Sequence, residues 1–147
     1  MLWNFWRNTF DRLSTVDCWR RAPGERWRAL NAAVNLNQLA DYRWHDLGCP
    51  GTAAELRRNI VERCSEFQLI WDVADAHKHM EIGRSGRSIT AATQAVTVEL
   101  GYGQAEFGVD EWGSPPIVVI YLDDGRRERL GSFIENTLAW WAEEIGT

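Results

Sequence analysis

The stretch IVVIYLDDGRRERL, residues 117–130, marks the point at which the chain stops behaving as a succession of helices. Its first six residues are a β-branched, apolar run that is too short for a helix of this composition and is typical of a strand. Asp124 and Gly125 then form a dipeptide that strongly favours a tight hairpin turn. Because such a turn joins strands that run in opposite directions, the stretch predicts an antiparallel sheet.

A second strand and an aromatic segment precede this hairpin. QAVTVEL, residues 94–100, alternates apolar and polar side chains as a half-buried strand does. Between the two strands, GYGQAEFGVDEWG at 101–113 is rich in glycine, which permits either an irregular strand or a mobile loop. As a strand, the segment covers the helices with its aromatic side chains; as a loop, it offers them as anchors to a protein partner. Its candidate binding residues are Tyr102, Phe107 and Trp112.

Three helices are predicted ahead of the strands. Apolar residues recur at helical spacing over 2–20 and indicate a first amphipathic helix. APGE at 22–25 breaks that rhythm, and a second helix is predicted from about Glu25 to Leu47, where GCPG ends it. Because the GCPG connection is short, we expect the second and third helices to pack antiparallel.

The third helix and the last one are placed by their capping residues. Thr52 can cap a helix, and Glu55 three positions later completes a capping box, so a helix is expected from there to about Glu81. Ser132 is predicted to cap a last helix over 133–145.

The order of these elements predicts a single α+β domain of 147 residues that is mainly helical. It consists of a three-helix bundle, a small antiparallel meander or hairpin and a C-terminal helix. These parts occupy residues 1–82, 94–131 and 132–146.

The charge balance limits the partners that the protein can bind. It has 21 acidic and 16 basic residues, and the resulting net charge of −5 disfavours nonspecific binding to DNA or RNA, which depends on phosphate neutralisation. Arg126 and Arg127 lie close to Arg129 and form a local basic surface. This surface is either a binding site or the solvated end of a hairpin.

The cysteines and the apolar segments bear on compartment and cofactors. Three cysteines without CxxC spacing indicate neither a disulfide framework nor a zinc site. The first residues lack a signal-peptide pattern, and no apolar run has the length of a bilayer span. No phosphate-binding glycine motif occurs. We therefore expect a cytoplasmic protein that does not bind membranes and needs no cofactor.

Two of the predicted helices repeat the spacing Asp-x-x-x-His. Asp41 and His45 lie in the second helix, and Asp75 and His79 lie in the third. On a helical wheel Asp41 falls inside the apolar arc, so we expect its side chain to be buried against other helices, away from water, and to have a partner there. Asp72 lies with Asp75 and His79 on one edge of the third helix, close enough for their side chains to touch.

Three interpretations of these pairs compete. In the structural one, the aspartates accept hydrogen bonds from histidine or tryptophan N–H groups and only fix the helix register. In the metal one, each pair supplies two ligands, but antiparallel helices separate the pairs and leave each short of four. In the catalytic one, His79 exchanges protons near neutral pH while Lys78 stabilises negative charge on a phosphate. The 2′-hydroxyl of an RNA would then serve as the nucleophile.

The helical part resembles the HEPN superfamily of bacterial toxins and defence ribonucleases. The similarity rests on a bundle with an acidic group on its second helix and a basic residue beside a histidine near the end of its third, within residues 1–82. It implies metal-independent RNA cleavage by a dimer, with His79 as the catalytic histidine and Lys78 as its basic companion. Asp41 or Asp75 would be the polar helper. The arginine that this family places four to six residues before its histidine has no counterpart ahead of His79.

The leading functional hypothesis is therefore a HEPN-like toxin or phage-defence protein that cleaves RNA as a homodimer. The alternative is a non-enzymatic module, an inhibitor or adaptor, that binds a protein partner through the aromatic segment and the last helix. Trp140 and Trp141 favour the alternative, because adjacent helical residues point in different directions and one face cannot bury both. An accessible cleft around His79 with a second charged group would favour catalysis, whereas a packed and hydrogen-bonded His79 would favour binding.

Overall fold

A computed structural model describes residues 14–46, 48–79, 86–100 and 113–145. These residues contain five helices: α1 over 14–20, α2 Arg26–Asp46, α3 Ala53–Arg63, α4 Phe67–His79 and α5 Leu130–Ile145. They also contain three strands: β1 Ala95–Val98, β2 Ile117–Tyr121 and β3 Arg127–Arg129. The predicted α+β class with a mainly helical composition is confirmed. None of the described helices is long and apolar enough to span a membrane.

The three strands form one antiparallel sheet in the order β1-β2-β3. The predicted hairpin at Asp124 and Gly125 joins β2 to β3, and Gly125 has a φ of 87°, which glycine adopts without strain. Along β2, Val118 and Ile120 are buried in the core beside Ala95 of β1. The sheet thus packs one face on the helices, since successive side chains of a strand point to opposite faces.

Helix α2 lies at the centre of the fold and contacts α3, α4, α5 and β1. Its small and branched residues let the neighbouring helices approach closely, and both Leu36 and Leu39 are fully buried. Phe67 of α4 meets Trp141 of α5 edge-to-face, with ring centroids 6.4 Å apart. These contacts make a single hydrophobic core that fixes where the polar residues of α2 and α4 emerge.

The prediction of one long third helix is wrong, because the helix is interrupted at Cys64. The predicted capping box is present: Thr52 accepts from the Glu55 backbone N–H, and the Glu55 carboxylate accepts from that of Thr52. Helix α3 then ends at Cys64, which has extended backbone angles, φ −140° and ψ 92°. A new helix begins at Phe67, whose ring is buried against α5. The predicted end of the long helix, at about Glu81, lies outside the described residues.

Helix α5 begins three residues earlier than predicted. It starts at Leu130, directly after β3, so Ser132 lies in its first turn and is not the residue before the helix. Leu130 is fully buried, and this burial outweighs the capping preference of Ser132. The different exposure expected for the two adjacent tryptophans is confirmed, since Trp141 is fully buried and Trp140 is half-buried.

Candidate functional site

The carboxylate of Asp72 lies in the interior of the protein and is held by three donors. Asp72 is 0% exposed on α4. It accepts hydrogen bonds from Arg87 Nη1 at 2.6 Å, from Gln68 Nε2 at 2.8 Å and from the Ser88 backbone N–H at 2.8 Å. A buried charge with a full set of partners is stable where an unpaired one would not be. Asp72 therefore attaches the segment after α4 to the helix.

Arg87 also binds the second acid of α4. Its Nη2 donates to Asp75 Oδ2 at 3.0 Å, and its side chain is only 10% exposed. The guanidinium lies over the ring of Trp71, 4.5 Å from the ring centroid, in a cation–π contact. We call Arg87, Asp72 and Asp75 with Gln68 and Ser88 the Arg87 cluster. Within the described residues no hydrogen bond joins Asp75 to His79.

A second group of the same kind surrounds Arg57 of α3. Arg57 Nη2 lies 2.7 Å from Asp41 Oδ2, and Arg57 Nε donates to Asn37 Oδ1 at 2.8 Å. We call Arg57, Asp41 and Asn37 the Arg57 cluster. The partner expected for Asp41 is present, but the prediction that this side chain is buried is wrong, because it is 42% exposed. The helical wheel predicted the direction of this side chain but not how far the neighbouring helices cover it.

Trp71 lies between the two clusters. Its ring centroid is 5.7 Å from the Arg57 guanidinium carbon and 4.5 Å from that of Arg87. The two Asp/His pairs thus do not share one site, but the arginines that neutralise their aspartates contact the same indole ring. This arrangement supports a structural role for Asp41 and Asp75, but the predicted donors are wrong, because both carboxylates pair with arginines and not with histidine or tryptophan N–H groups.

The two histidines of the repeated spacing are both exposed. His45 stands against the ring of Trp44, with centroids 5.1 Å apart and planes at 78°. His79 is exposed in the last turn of α4, as is Lys78 before it. Among the described residues, no three His, Cys, Asp or Glu side chains come together in a group that could hold a metal ion.

His77, one residue before Lys78, packs against an exposed aromatic ring. Its ring lies 5.4 Å from that of Trp27 of α2, which is 62% exposed, and Arg26 lies over the same indole at 5.5 Å. Burial, together with the charge of Arg26, lowers the pKa of His77 from its usual value, so its neutral form is favoured. We call Arg26, Trp27, His77, Lys78 and His79 the α4-end surface.

The two arginines predicted to bind a partner differ in their surroundings. Arg126 donates to Asp124 at 2.8 Å and lies 3.9 Å from Glu128, so it is engaged within the hairpin. Those acids raise its pKa. Arg127 is exposed and lies directly across from Tyr121 in the sheet. The predicted anchors Tyr102, Phe107 and Trp112 lie outside the described residues.

Several residues of the site were not found from the sequence. Arg57 could have been found, because antiparallel packing brings the start of α3 to Asp41 and a buried acid requires a cation. Arg87 and Trp27 gave no such signal: Arg87 lies in an irregular segment, and Trp27 is one of nine tryptophans. Cys64 is buried, and this burial raises the pKa of its thiol.

Comparisons with known proteins identify no relative of this chain: no family model matches it, and neither the curated proteins nor the solved structures yield a match.

Proposed function

We propose that this protein acts on single-stranded RNA through the α4-end surface, as a metal-independent endoribonuclease of the HEPN-like type that works as a dimer. The supporting observation is the pairing of Trp27, 62% exposed, with His77 in the turn that also presents Lys78 and His79. An exposed indole can stack on a nucleobase, and this contact is worth about 1–3 kcal/mol. Lys78 and Arg26 supply positive charge for the adjoining phosphates.

The proposed reaction uses the RNA's own 2′-hydroxyl. One His79 takes the 2′-hydroxyl proton while the oxygen attacks the adjacent phosphorus, and Lys78 stabilises the charge that develops on the phosphate. The 5′-oxygen leaves with a proton, which the His79 of a second copy supplies, and a cyclic 2′,3′-phosphate remains. Since arginines hold Asp41 and Asp75, we no longer assign either of them the role of polar helper.

The decisive experiment measures cleavage of an end-labelled single-stranded RNA with and without chelator. We expect chelator-resistant cleavage by the wild-type protein and its loss in His79→Ala, since no other group in the proposal exchanges the protons. His45→Ala is the matched control, because His45 is also exposed but lies at the end of α2, whereas Trp27 of the α4-end surface lies at the start of that helix. This substitution should leave cleavage unchanged. Equal loss in both variants, or no cleavage by any of them, contradicts catalysis at His79.

RNA binding is measured separately by fluorescence anisotropy of a labelled RNA on the same proteins. Trp27→Ala should weaken binding roughly 10-fold or more if a base stacks on the indole. Tyr121→Ala is the control, since it removes another exposed aromatic residue, from the sheet. An equal effect of both substitutions would remove the α4-end surface from the proposal.

A second candidate function is that of a non-enzymatic module that binds a protein partner, and the exposed residues of the sheet favour it. Its face away from the helices presents Val96 and Tyr121, 40% and 43% exposed. A photo-crosslinking amino acid at position 121 should form an adduct in cells, whereas the same amino acid at the exposed Asn136 of α5 should not. Adducts of equal yield at both positions would argue against a partner on the sheet.

A further inference from the structure

The face of the sheet that points away from the helices has its own pattern of residues. In β2, Val118 and Ile120 point into the core, so Ile117, Val119 and Tyr121 belong to the opposite face. We call that side the outer face. The strand pairing continues the outer face onto β1, where Val98 is paired with Ile117 and Val96 with Val119.

The outer face becomes basic along β3. Arg129 is paired with Val119, and Arg127 is paired with Tyr121. An apolar centre formed by β1 and β2 is therefore bordered by two guanidinium groups. This arrangement suits a ligand with an apolar part and an anionic end.

A cavity of about 220 Å³ opens on the outer face. Its lining includes Val98, Ile117, Val119, Arg127, Arg129 and Ser132. This volume is at the small end for ligand pockets, which usually measure about 300–1,000 Å³, and it suits a small organic group. It is large enough for a branched alkyl group joined to a carboxylate.

The charges around the cavity favour an anion. The side chain of Arg127 is exposed and makes no hydrogen bond or ion pair with any of the described residues. Glu128 also lines the cavity, but it lies 3.9 Å from Arg126, which is engaged with Asp124. A guanidinium with no partner among the described residues, at the rim of a cavity lined in part by Val98, Ile117 and Val119, is a site for a carboxylate.

We propose that this cavity binds a small apolar group that carries a carboxylate, with the apolar part against Val98, Ile117 and Val119 and the carboxylate on Arg127. The carboxylate comes either from a free organic acid or from the C-terminal leucine of a peptide, and both present the same chemistry. The proposal does not depend on RNA cleavage, because the cavity shares no residue with the α4-end surface.

The test is a titration of isotope-labelled protein followed by backbone amide NMR. Isocaproate is the probe and isocaproamide, of the same shape but neutral, is its control. We expect isocaproate to shift the amides of β1, β2 and β3 and isocaproamide to bind roughly 10-fold more weakly, because a charge-assisted hydrogen bond is lost. Equal binding of the two compounds, or no shift with isocaproate at millimolar concentration, overturns the assignment.

Three variants locate the carboxylate and the apolar part. Arg127→Gln should weaken isocaproate binding about 10-fold, and Arg127→Lys should retain most of it. Ser132→Leu fills the cavity and should abolish the shifts. Arg58→Gln removes an exposed arginine from α3 and is the control for net charge. Equal effects of Arg127→Gln and Arg58→Gln overturn the role of Arg127, and undiminished binding by Ser132→Leu overturns the cavity.

A short peptide that ends in leucine distinguishes the two sources of the carboxylate. Binding tighter than that of isocaproate, with loss on C-terminal amidation, assigns the site to a peptide terminus. Binding weaker than that of isocaproate assigns it to a free acid. If neither compound perturbs the sheet in wild-type protein of normal thermal stability, the site does not bind carboxylates.

Discussion

Arg87 and Arg57 each bind aspartate at nearly the same distance, 2.6 and 2.7 Å, yet in different surroundings. Asp72 in the Arg87 cluster is completely buried, whereas Asp41 in the Arg57 cluster is 42% exposed. A carboxylate with access to water can regain hydration when its partner is removed, but a buried one cannot. Burial, more than contact distance, therefore decides how much each arginine stabilises the fold.

The comparison also bears on function. Since both arginines hold the aspartates that could have oriented a histidine, the repeated Asp-x-x-x-His spacing does not form two acid–base pairs. The two exposed histidines are left without their aspartates, and only His79 has a lysine beside it and belongs to the α4-end surface. The proposed chemistry therefore depends on this surface and on a second copy of the chain.

The largest effect is expected from Arg87→Met. This substitution leaves the buried Asp72 with two neutral donors and no cation, and the expected loss of unfolding free energy is about 3–5 kcal/mol. Urea unfolding followed by circular dichroism measures it. The double variant Arg87→Met/Asp72→Asn should recover part of the loss, because it also removes the charge. A loss below that of Arg57→Met would contradict the role of burial.

Arg57→Met should have a smaller effect, about 1–3 kcal/mol, in the same measurement. Asp41 returns to water, so most of the cost comes from the buried Asn37, whose amide oxygen loses its donor. Asp41→Asn is the control and should cost less than Arg57→Met, because an amide oxygen can still accept a hydrogen bond from the Arg57 guanidinium, whose side chain is 10% exposed. If Asp41→Asn destabilises the protein as much as Arg57→Met does, the ion pair contributes more than the hydrogen bond to Asn37.

The smallest effect is expected from His77, which is outside both clusters. Its pKa is lowered in the folded protein, so the unfolded chain binds the proton more readily and stability falls as the pH drops below 6.5. Urea unfolding at about pH 7.5 and about pH 5.5 should therefore show a greater loss of stability for the wild type than for His77→Gln. Identical pH dependence of the two proteins would show that His77 is protonated equally in both states.

Local chemistry made part of the structure predictable from the sequence. The capping box at Thr52 and the hairpin at Asp124 and Gly125 each depend on residues a few positions apart. The alternation predicted the strand β1 but not its buried face, since Ala95 is buried and Val96 is 40% exposed. The break at Cys64 was missed because the apolar stripe continues across it, and only packing against α5 explains the new helix at Phe67. The start of α5 was also predicted wrongly, because it is determined by the burial of Leu130 in the core and not by the capping preference of Ser132.

What the sequence by itself determined is the succession of helices, antiparallel strands and a last helix, the mainly helical α+β class and the requirement that the aspartates of the helices find partners. Only the tertiary structure decided which residues those partners are. Asp72 and Asp75 are joined to Arg87, at least 12 residues away, and Asp41 to Arg57, 16 residues away. Spacing along a helix shows which side chains share a face, but the choice of a cation depends on which distant segment the hydrophobic core brings to that face.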